Sequence, residues 1–114
     1  EAYVVRTDAQ RLKQVFMNLL TNAAKFTREG SIRIGMKVDK EENMIIFSVT
    51  DTGCGIPKEK AEKVFERFEK LDEYVQGTGL GLSITRLIVE KLGGKIWIDT
   101  TYTQGARFVF THPL

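Results

Sequence analysis

The first half of the chain has the apolar pattern of one long helix followed by a β-hairpin. Between residues 8 and 26 apolar side chains recur every three or four positions, which is typical of one face of an α-helix; these are Leu12, Val15, Phe16, Leu19, Leu20 and Ala23. Thr7 and Gln10 have the spacing of a capping box at its start. Strands are predicted at residues 2–5, 32–38 and 44–50. In the second of these, apolar residues alternate with polar or small ones; they are Ile32, Ile34, Met36 and Val38.

The second half predicts two further helices and two strands. Pro57 is suited to open a short helix that runs from Lys58 to Phe68. Residues 69–77 have no clear period and predict a mobile loop. A last helix runs from Leu80 to Leu92, with Leu80, Ile84, Leu87, Ile88 and Leu92 on its apolar face, and Gly93 and Gly94 end it. Strands near residues 95–101 and 107–111 complete an α+β fold, a two-layer sandwich in which three helices cover one face of a mixed sheet of about five strands.

Composition bounds the function without identifying it. A chain of 114 residues with 42% hydrophobic and 28% charged residues fits a single domain over residues 1–114. The single cysteine, Cys54, excludes an intrachain disulfide. The net charge of +2 is scattered along the chain, so nucleic-acid binding gains no support. No apolar run approaches the roughly 20 residues that cross a bilayer.

A polar stripe lies beside the apolar face of the first helix. At about 100° per residue, a narrow band contains Arg11, Gln14, Asn18, Asn22 and Lys25. Asparagine is a poor residue for a helix interior, so two of them four positions apart indicate another role, and their amide oxygens can share one hard cation. A plain solvated helix face remains the alternative.

Two glycine-containing loops provide the other candidate chemistry. Asp51 ends the strand at 44–50, and Gly53 and Gly55 follow it, which leaves room for a flat ring beside a carboxylate acceptor for an amine. Gly77, Gly79 and Gly81 precede the last helix, where free backbone N–H groups favour phosphate. A structural turn and a ligand-free hinge are the respective alternatives.

Taken in order, these segments resemble the catalytic, ATP-binding domain of bacterial sensor histidine kinases, within the superfamily that includes gyrase and heat-shock chaperone ATPases. Residues 18–27 resemble the N box of that family, residues 51–57 its first glycine box, residues 65–68 its F box and residues 77–84 its second glycine box. The resemblance covers nearly the whole chain.

The resemblance implies a role for each matching residue. Asn22 would bind Mg²⁺, Asn18 and Lys25 would hold the phosphates, and Asp51 would accept the adenine amine. Lys70 stands where relatives often carry arginine near the γ-phosphate, so Asn18, Lys25 and Lys70 would act at the transferred group. The further nucleotide contacts would be Phe26, Gly53, Gly55, Ile56, Phe68, Gly77, Thr78, Gly79, Leu80 and Gly81. Phe65 and Phe68 would anchor a lid at 69–77, and Arg107, where a hydroxyl residue is frequent, is left without a role.

The resemblance also implies an activity and its partners. The expected reaction is transfer of the γ-phosphoryl of ATP to a histidine on a separate dimerisation domain, followed by a response regulator receiver domain. The parent protein would be membrane-anchored with this domain in the cytoplasm. Related ATPases carry glutamate where this chain has Asn18, and an amide cannot take a proton from water. A nucleotide-sensing module without transfer and an ATPase remain the alternatives.

Three other residues are interpreted without a catalytic role. His112, the only histidine, is expected at the surface. Cys54 is expected to be an exposed loop thiol with no catalytic partner. Trp97 is expected in the core or on a docking surface.

Overall fold

The computed structural model describes residues 7–27, 29–66 and 81–114. In chain order its elements are α1 (Ala9–Phe26), β1 (Ile32–Asp39), β2 (Met44–Asp51), two short 3₁₀ helices (Lys58–Lys60 and Lys63–Phe65), α2 (Gly81–Lys91), β3 (Ile96–Ile98) and β4 (Arg107–Pro113). Within these ranges no helix is long and apolar enough to cross a membrane.

The sheet has four strands in the order β1-β2-β4-β3, and every neighbouring pair in the described part of the chain is antiparallel. The sequence predicts about five strands and a mixed sheet, so the α+β class is confirmed while the strand number and the mixed character are not. The fifth predicted strand, at 2–5, lies outside the described residues. The hairpin between β1 and β2 closes at Asn43, which adopts a positive φ of 57° that asparagine tolerates.

Helix α1 confirms the predicted apolar face, since Val15, Leu19 and Ala23 are buried against the sheet. The predicted cap at Thr7 is wrong. The helix begins after Asp8, whose carboxylate accepts the Arg11 N–H at 3.2 Å. The Thr7 hydroxyl is instead 2.8 Å from Nε2 of His112.

Helix α2 is rotated relative to the predicted face. Thr85, Ile88 and Val89 are its buried residues, whereas Ile84 and Leu87 are 40% and 57% exposed. The helical segment predicted from Lys58 takes the form of the two 3₁₀ helices within the described residues, and buries Val64 and Phe65.

The core lies between the sheet and the helices. Phe16 of α1 meets the rings of Phe47 and Phe110 at 5.2 Å between centroids, and Phe65 meets Phe108 edge-on at 6.0 Å. The alternating residues of β1 are more exposed than predicted, because Ile34 and Met36 lie on a strand at the end of the described sheet.

The expectations for the three isolated residues have different outcomes. His112 is 4% exposed and therefore buried, which makes its predicted surface position wrong. Cys54 is exposed, as predicted. Trp97 is 39% exposed, on the opposite face of β3 from the buried Ile96 and Ile98, so it lies at the surface and not in the core.

Candidate functional site

Asp51 is the anchor of the candidate site. It is the last residue of β2 and is only 2% exposed. Its Oδ1 accepts the backbone N–H of Gly53 at 2.9 Å and that of Ala106 at 3.2 Å. No described residue is recorded as bonding Oδ2. The side chain is therefore held rigidly through one oxygen, which leaves the other as a hydrogen-bond acceptor.

The glycines after Asp51 are required by close backbone approach. A Cβ on Gly53 would lie 2.1 Å from the carbonyl oxygen of Phe26, and Gly55 adopts a φ of +76° that few other residues tolerate. Gly55 and Ile56 border an open cleft of about 370 Å³ between this loop and the β3–β4 loop. The glycine loop is thus fixed between the end of α1 and the β3–β4 connection.

The end of α1 joins the same loop. The backbone N–H of Cys54 donates to the carbonyl oxygen of Phe26 at 3.2 Å. Lys25, one residue earlier, is exposed in the last turn of α1. The structure therefore brings Lys25 and Phe26 beside the loop that carries Asp51, although 25 residues separate Phe26 from Asp51 in the sequence.

Asn18 connects α1 to α2. Its Nδ2 donates to the Thr85 hydroxyl at 3.0 Å, and that hydroxyl donates to the carbonyl oxygen of Gly81 at 2.7 Å. Asn22 lies one turn further along α1 and is half-buried, as is Asn18. The two asparagines of the predicted stripe are therefore at the edge of the core, and Asn18 is bonded to α2.

Some of the predicted site residues lie outside the described part of the chain. These are Phe68, Lys70, Gly77, Thr78, Gly79 and Leu80, together with the predicted lid at 69–77. Among the described residues, the structure joins Phe26 to the loop of Asp51, Gly53, Gly55 and Ile56, and it joins Asn18 to Gly81 through Thr85. Asn22 and Lys25 lie on the same helix, α1.

Sequence reasoning missed several residues that support this site. Thr85 and Ala106 make the hydrogen bonds described above, and the Tyr102 hydroxyl donates to the carbonyl oxygen of Asp51 at 3.3 Å. A threonine among the apolar residues of α2 was a signal for Thr85. Nothing in the sequence indicated Ala106, since its contribution is a backbone N–H.

Arg107 is the first residue of β4 and contacts the β3–β4 connection. Its Nε donates to the Thr50 hydroxyl at 3.0 Å, its guanidinium is 3.4 Å from the Asp99 carboxylate, and it lies 4.4 Å from the centre of the Tyr102 ring. Hydrogen bonds from Thr101, and then the contact with Arg107, hold the pKa of Asp99 below its ordinary value. Arg107 thus fastens the loop that donates to Asp51.

Comparison with known proteins identifies the family. The model of the histidine kinase-, DNA gyrase B-, and HSP90-like ATPase family matches residues 7–114. The chain belongs to this family. The circadian input-output histidine kinase CikA of Synechococcus elongatus is 42% identical over 114 residues, which cover 96% of this chain and 15% of that protein.

Solved structures of this family agree with the fold. The nucleotide-free catalytic domain of the histidine kinase ThkA superposes with a TM-score of 0.81 at 39% identity, covering 96% of this chain and 71% of that one. Full-length ShkA in complex with AMPPNP gives a TM-score of 0.81 at 34% identity, covering 94% of this chain and 22% of that one. The predicted resemblance to histidine kinase catalytic domains is therefore confirmed, for a chain that spans a small part of its full-length relatives.

The described residues fit both a nucleotide and a magnesium ion. Among the described residues Oδ2 of Asp51 has no bonded partner, and this oxygen suits an amine donor. No cluster of three or more histidine, cysteine or acidic side chains suited to a metal occurs in the described ranges. Amide oxygens such as that of Asn22 are hard ligands, and Mg²⁺ is commonly completed by phosphate and water oxygens.

Proposed function

We propose that this chain binds ATP with Mg²⁺ and presents the γ-phosphoryl group to a histidine on a separate dimerisation domain of a sensor histidine kinase. The observation that best supports this function is that α1 contacts two other segments of the predicted site: its end is joined to the glycine loop after Asp51 through Phe26, and Asn18 in its middle bonds Thr85 of α2. Each segment supplies groups of the kind that one part of the nucleotide requires.

The loop of Asp51 serves the adenine ring in this proposal. The carboxylate accepts the exocyclic amine through Oδ2, because Oδ1 is engaged by Gly53 and Ala106. Gly55 and Ile56 line the cleft beside this loop, and Phe26 and Ile56 are half-buried neighbours that can cover the ring. An ionised acceptor bonds a donor more strongly than a neutral one, which favours adenine over a ring that lacks this amine.

Helices α1 and α2 serve the phosphates. Asn18 and Lys25 supply a side-chain amide and a positive charge, and α2, which begins at Gly81, presents the positive end of its dipole. Asn22 would hold Mg²⁺, which neutralises phosphate charge in reactions of this kind. In this proposal the site is completed by residues outside the described ranges, which are Phe68, Lys70, Gly77, Thr78, Gly79 and Leu80.

The acceptor histidine belongs elsewhere in the parent protein. His112 is the only histidine in the sequence, and both of its ring nitrogens have partners, Nδ1 at 2.7 Å from the Pro113 carbonyl oxygen and Nε2 at 2.8 Å from the Thr7 hydroxyl. A buried ring with both nitrogens engaged is not available for transfer.

A water-directed ATPase receives no support. Asn18 occupies the position of the catalytic glutamate in that class, and its NH₂ group donates to Thr85.

The proposed partners are the dimerisation domain and a response regulator receiver domain, with no nucleic acid. We place the domain on the cytoplasmic side of a membrane-anchored parent.

Nucleotide binding with and without Mg²⁺ tests the proposed site. Calorimetry should show that Asn22→Ala loses the gain in ATP affinity that Mg²⁺ gives, while the fold is unchanged because Asn22 lies at the edge of the core. Gln10→Ala, an exposed amide in the first turn of the same helix, is the matched control and should keep that gain. If Asn22→Ala binds Mg-ATP as the unaltered protein does, the metal assignment is wrong.

A further inference from the structure

We infer that Thr85 is a positioning residue that fixes the amide of Asn18 with its carbonyl oxygen directed to the ligand. This inference rests on the proposed function and refines the part of Asn18 in it, because an amide oxygen repels phosphate oxygens and attracts the Mg²⁺ ion that accompanies them. Thr85 is fully buried at 0% exposure, in the second turn of α2.

The direction of the hydrogen bonds follows from the number of protons available. A hydroxyl group has one proton to donate, and the Thr85 hydroxyl donates it to the Gly81 carbonyl oxygen at 2.7 Å. Toward Asn18 the same oxygen can then only accept. The group of Asn18 that lies 3.0 Å away must therefore be its NH₂, as Nδ2.

This arrangement decides which end of the amide is presented to a ligand. An asparagine amide can turn by about 180° around its terminal torsion, and its two ends differ in sign, because the oxygen attracts a cation and the NH₂ repels one. With Nδ2 bound to Thr85, the oxygen Oδ1 is left for a metal ion or an ordered water. Without the Thr85 hydroxyl, both orientations become available and part of the favourable electrostatic interaction is lost.

The same bonds connect two motifs that are distant in sequence. Gly81 begins α2, where we place phosphate binding, and Asn18 lies 67 residues from Thr85 on α1. Asn22 has no recorded hydrogen bond within the described ranges. The positioning by α2 is therefore specific to the first asparagine of the stripe.

The test compares ATP affinity with and without Mg²⁺ in four variants. Thr85→Val keeps the shape of the side chain and removes the hydroxyl, and should reduce the Mg²⁺-dependent gain in affinity about three- to tenfold, the range expected for one neutral hydrogen bond. Thr85→Ser keeps the hydroxyl and should retain the gain. Asn18→Ala and the double variant Asn18→Ala/Thr85→Val complete a double-mutant cycle.

The cycle separates positioning from general structural damage. If Thr85 acts through Asn18, the double variant should match Asn18→Ala alone. The inference would be overturned if the affinity losses of the two single variants multiplied in the double variant, or if Thr85→Val lost the same affinity with and without Mg²⁺. It would also be overturned if Thr85→Val bound Mg-ATP as the unaltered protein does. If Asn18→Ala itself has no effect, the proposed role of Asn18 fails first. Thermal unfolding checks each variant, and Thr85→Ala replaces Thr85→Val if the valine variant does not fold.

Discussion

Replacing Asp51 with asparagine separates the proposed role of this carboxylate in base recognition from its role in the fold. The amide oxygen of Asp51→Asn can still accept the N–H groups of Gly53 and Ala106, which now bond Oδ1 at 2.9 and 3.2 Å. The change falls on the second oxygen, which becomes an NH₂ group. A donor would then face the amine of adenine, which is also a donor.

The size of the effect follows from the loss of one buried hydrogen bond. Leaving a buried donor unpaired costs about 1 to 3 kcal/mol, so the dissociation constant for ATP should rise by a factor of about 5 to 140. The affinity of Asp51→Asn for tripolyphosphate, which has no base, should be almost unchanged. Inosine triphosphate carries a carbonyl in place of the amine, so its affinity relative to that of ATP should increase in Asp51→Asn.

Competition binding with the three ligands measures these ratios directly. Asp39→Asn is a matched control, because Oδ1 of Asp39 also accepts two backbone N–H groups, from Glu41 and Glu42, in a hairpin that we place away from the nucleotide. That variant should bind all three ligands normally. Equal losses for ATP and tripolyphosphate in Asp51→Asn would refute the reasoning and leave Asp51 with a structural role alone.

Two further predictions concern stability. Leu19→Ala should lower the free energy of unfolding by about 2 to 5 kcal/mol in urea titrations, because Leu19 is fully buried, whereas the exposed Met17→Ala should change it little; similar losses would contradict the assignment of the core. The pKa of Asp99 is lowered from its ordinary 3.8 by Thr101 and Arg107, so the unfolded chain takes up the proton first as the pH falls. The unaltered protein should thus have a larger free energy of unfolding than Asp99→Asn above about pH 4, and this difference should shrink below that pH. A difference that grows in acid would contradict the lowered pKa.

The sequence predicted the helix of the site better than the contacts around it. The face of α1 was predicted correctly because its apolar residues, from Leu12 to Ala23, keep a helical period over about three turns and pack on one sheet. Helix α2 is short and has apolar residues on two sides, so periodicity favoured Ile84 and Leu87. The buried position instead belongs to Thr85, whose hydroxyl is satisfied by Gly81 and Asn18.

The remaining differences have a tertiary origin. Thr7 and Asp8 are both good caps by residue type, and the choice between them depends on the contact of Thr7 with His112, 105 residues away. Asp51 ends β2 as predicted and is buried there, but the orientation of its side chain depends on the backbone of Ala106, 55 residues away. Local patterns do not contain such pairings, which form only when the sheet closes over the helices.

Transfer of labelled phosphate tests the central claim most directly. The chain should be mixed with γ-labelled ATP, Mg²⁺ and the parent's dimerisation domain as a separate polypeptide. We predict label on the dimerisation domain, in an acid-labile form expected of phosphohistidine, and none on this chain. His112→Ala should leave the amount unchanged, because His112 is buried with both nitrogens engaged. Label on this chain alone, removed by His112→Ala, would contradict the account.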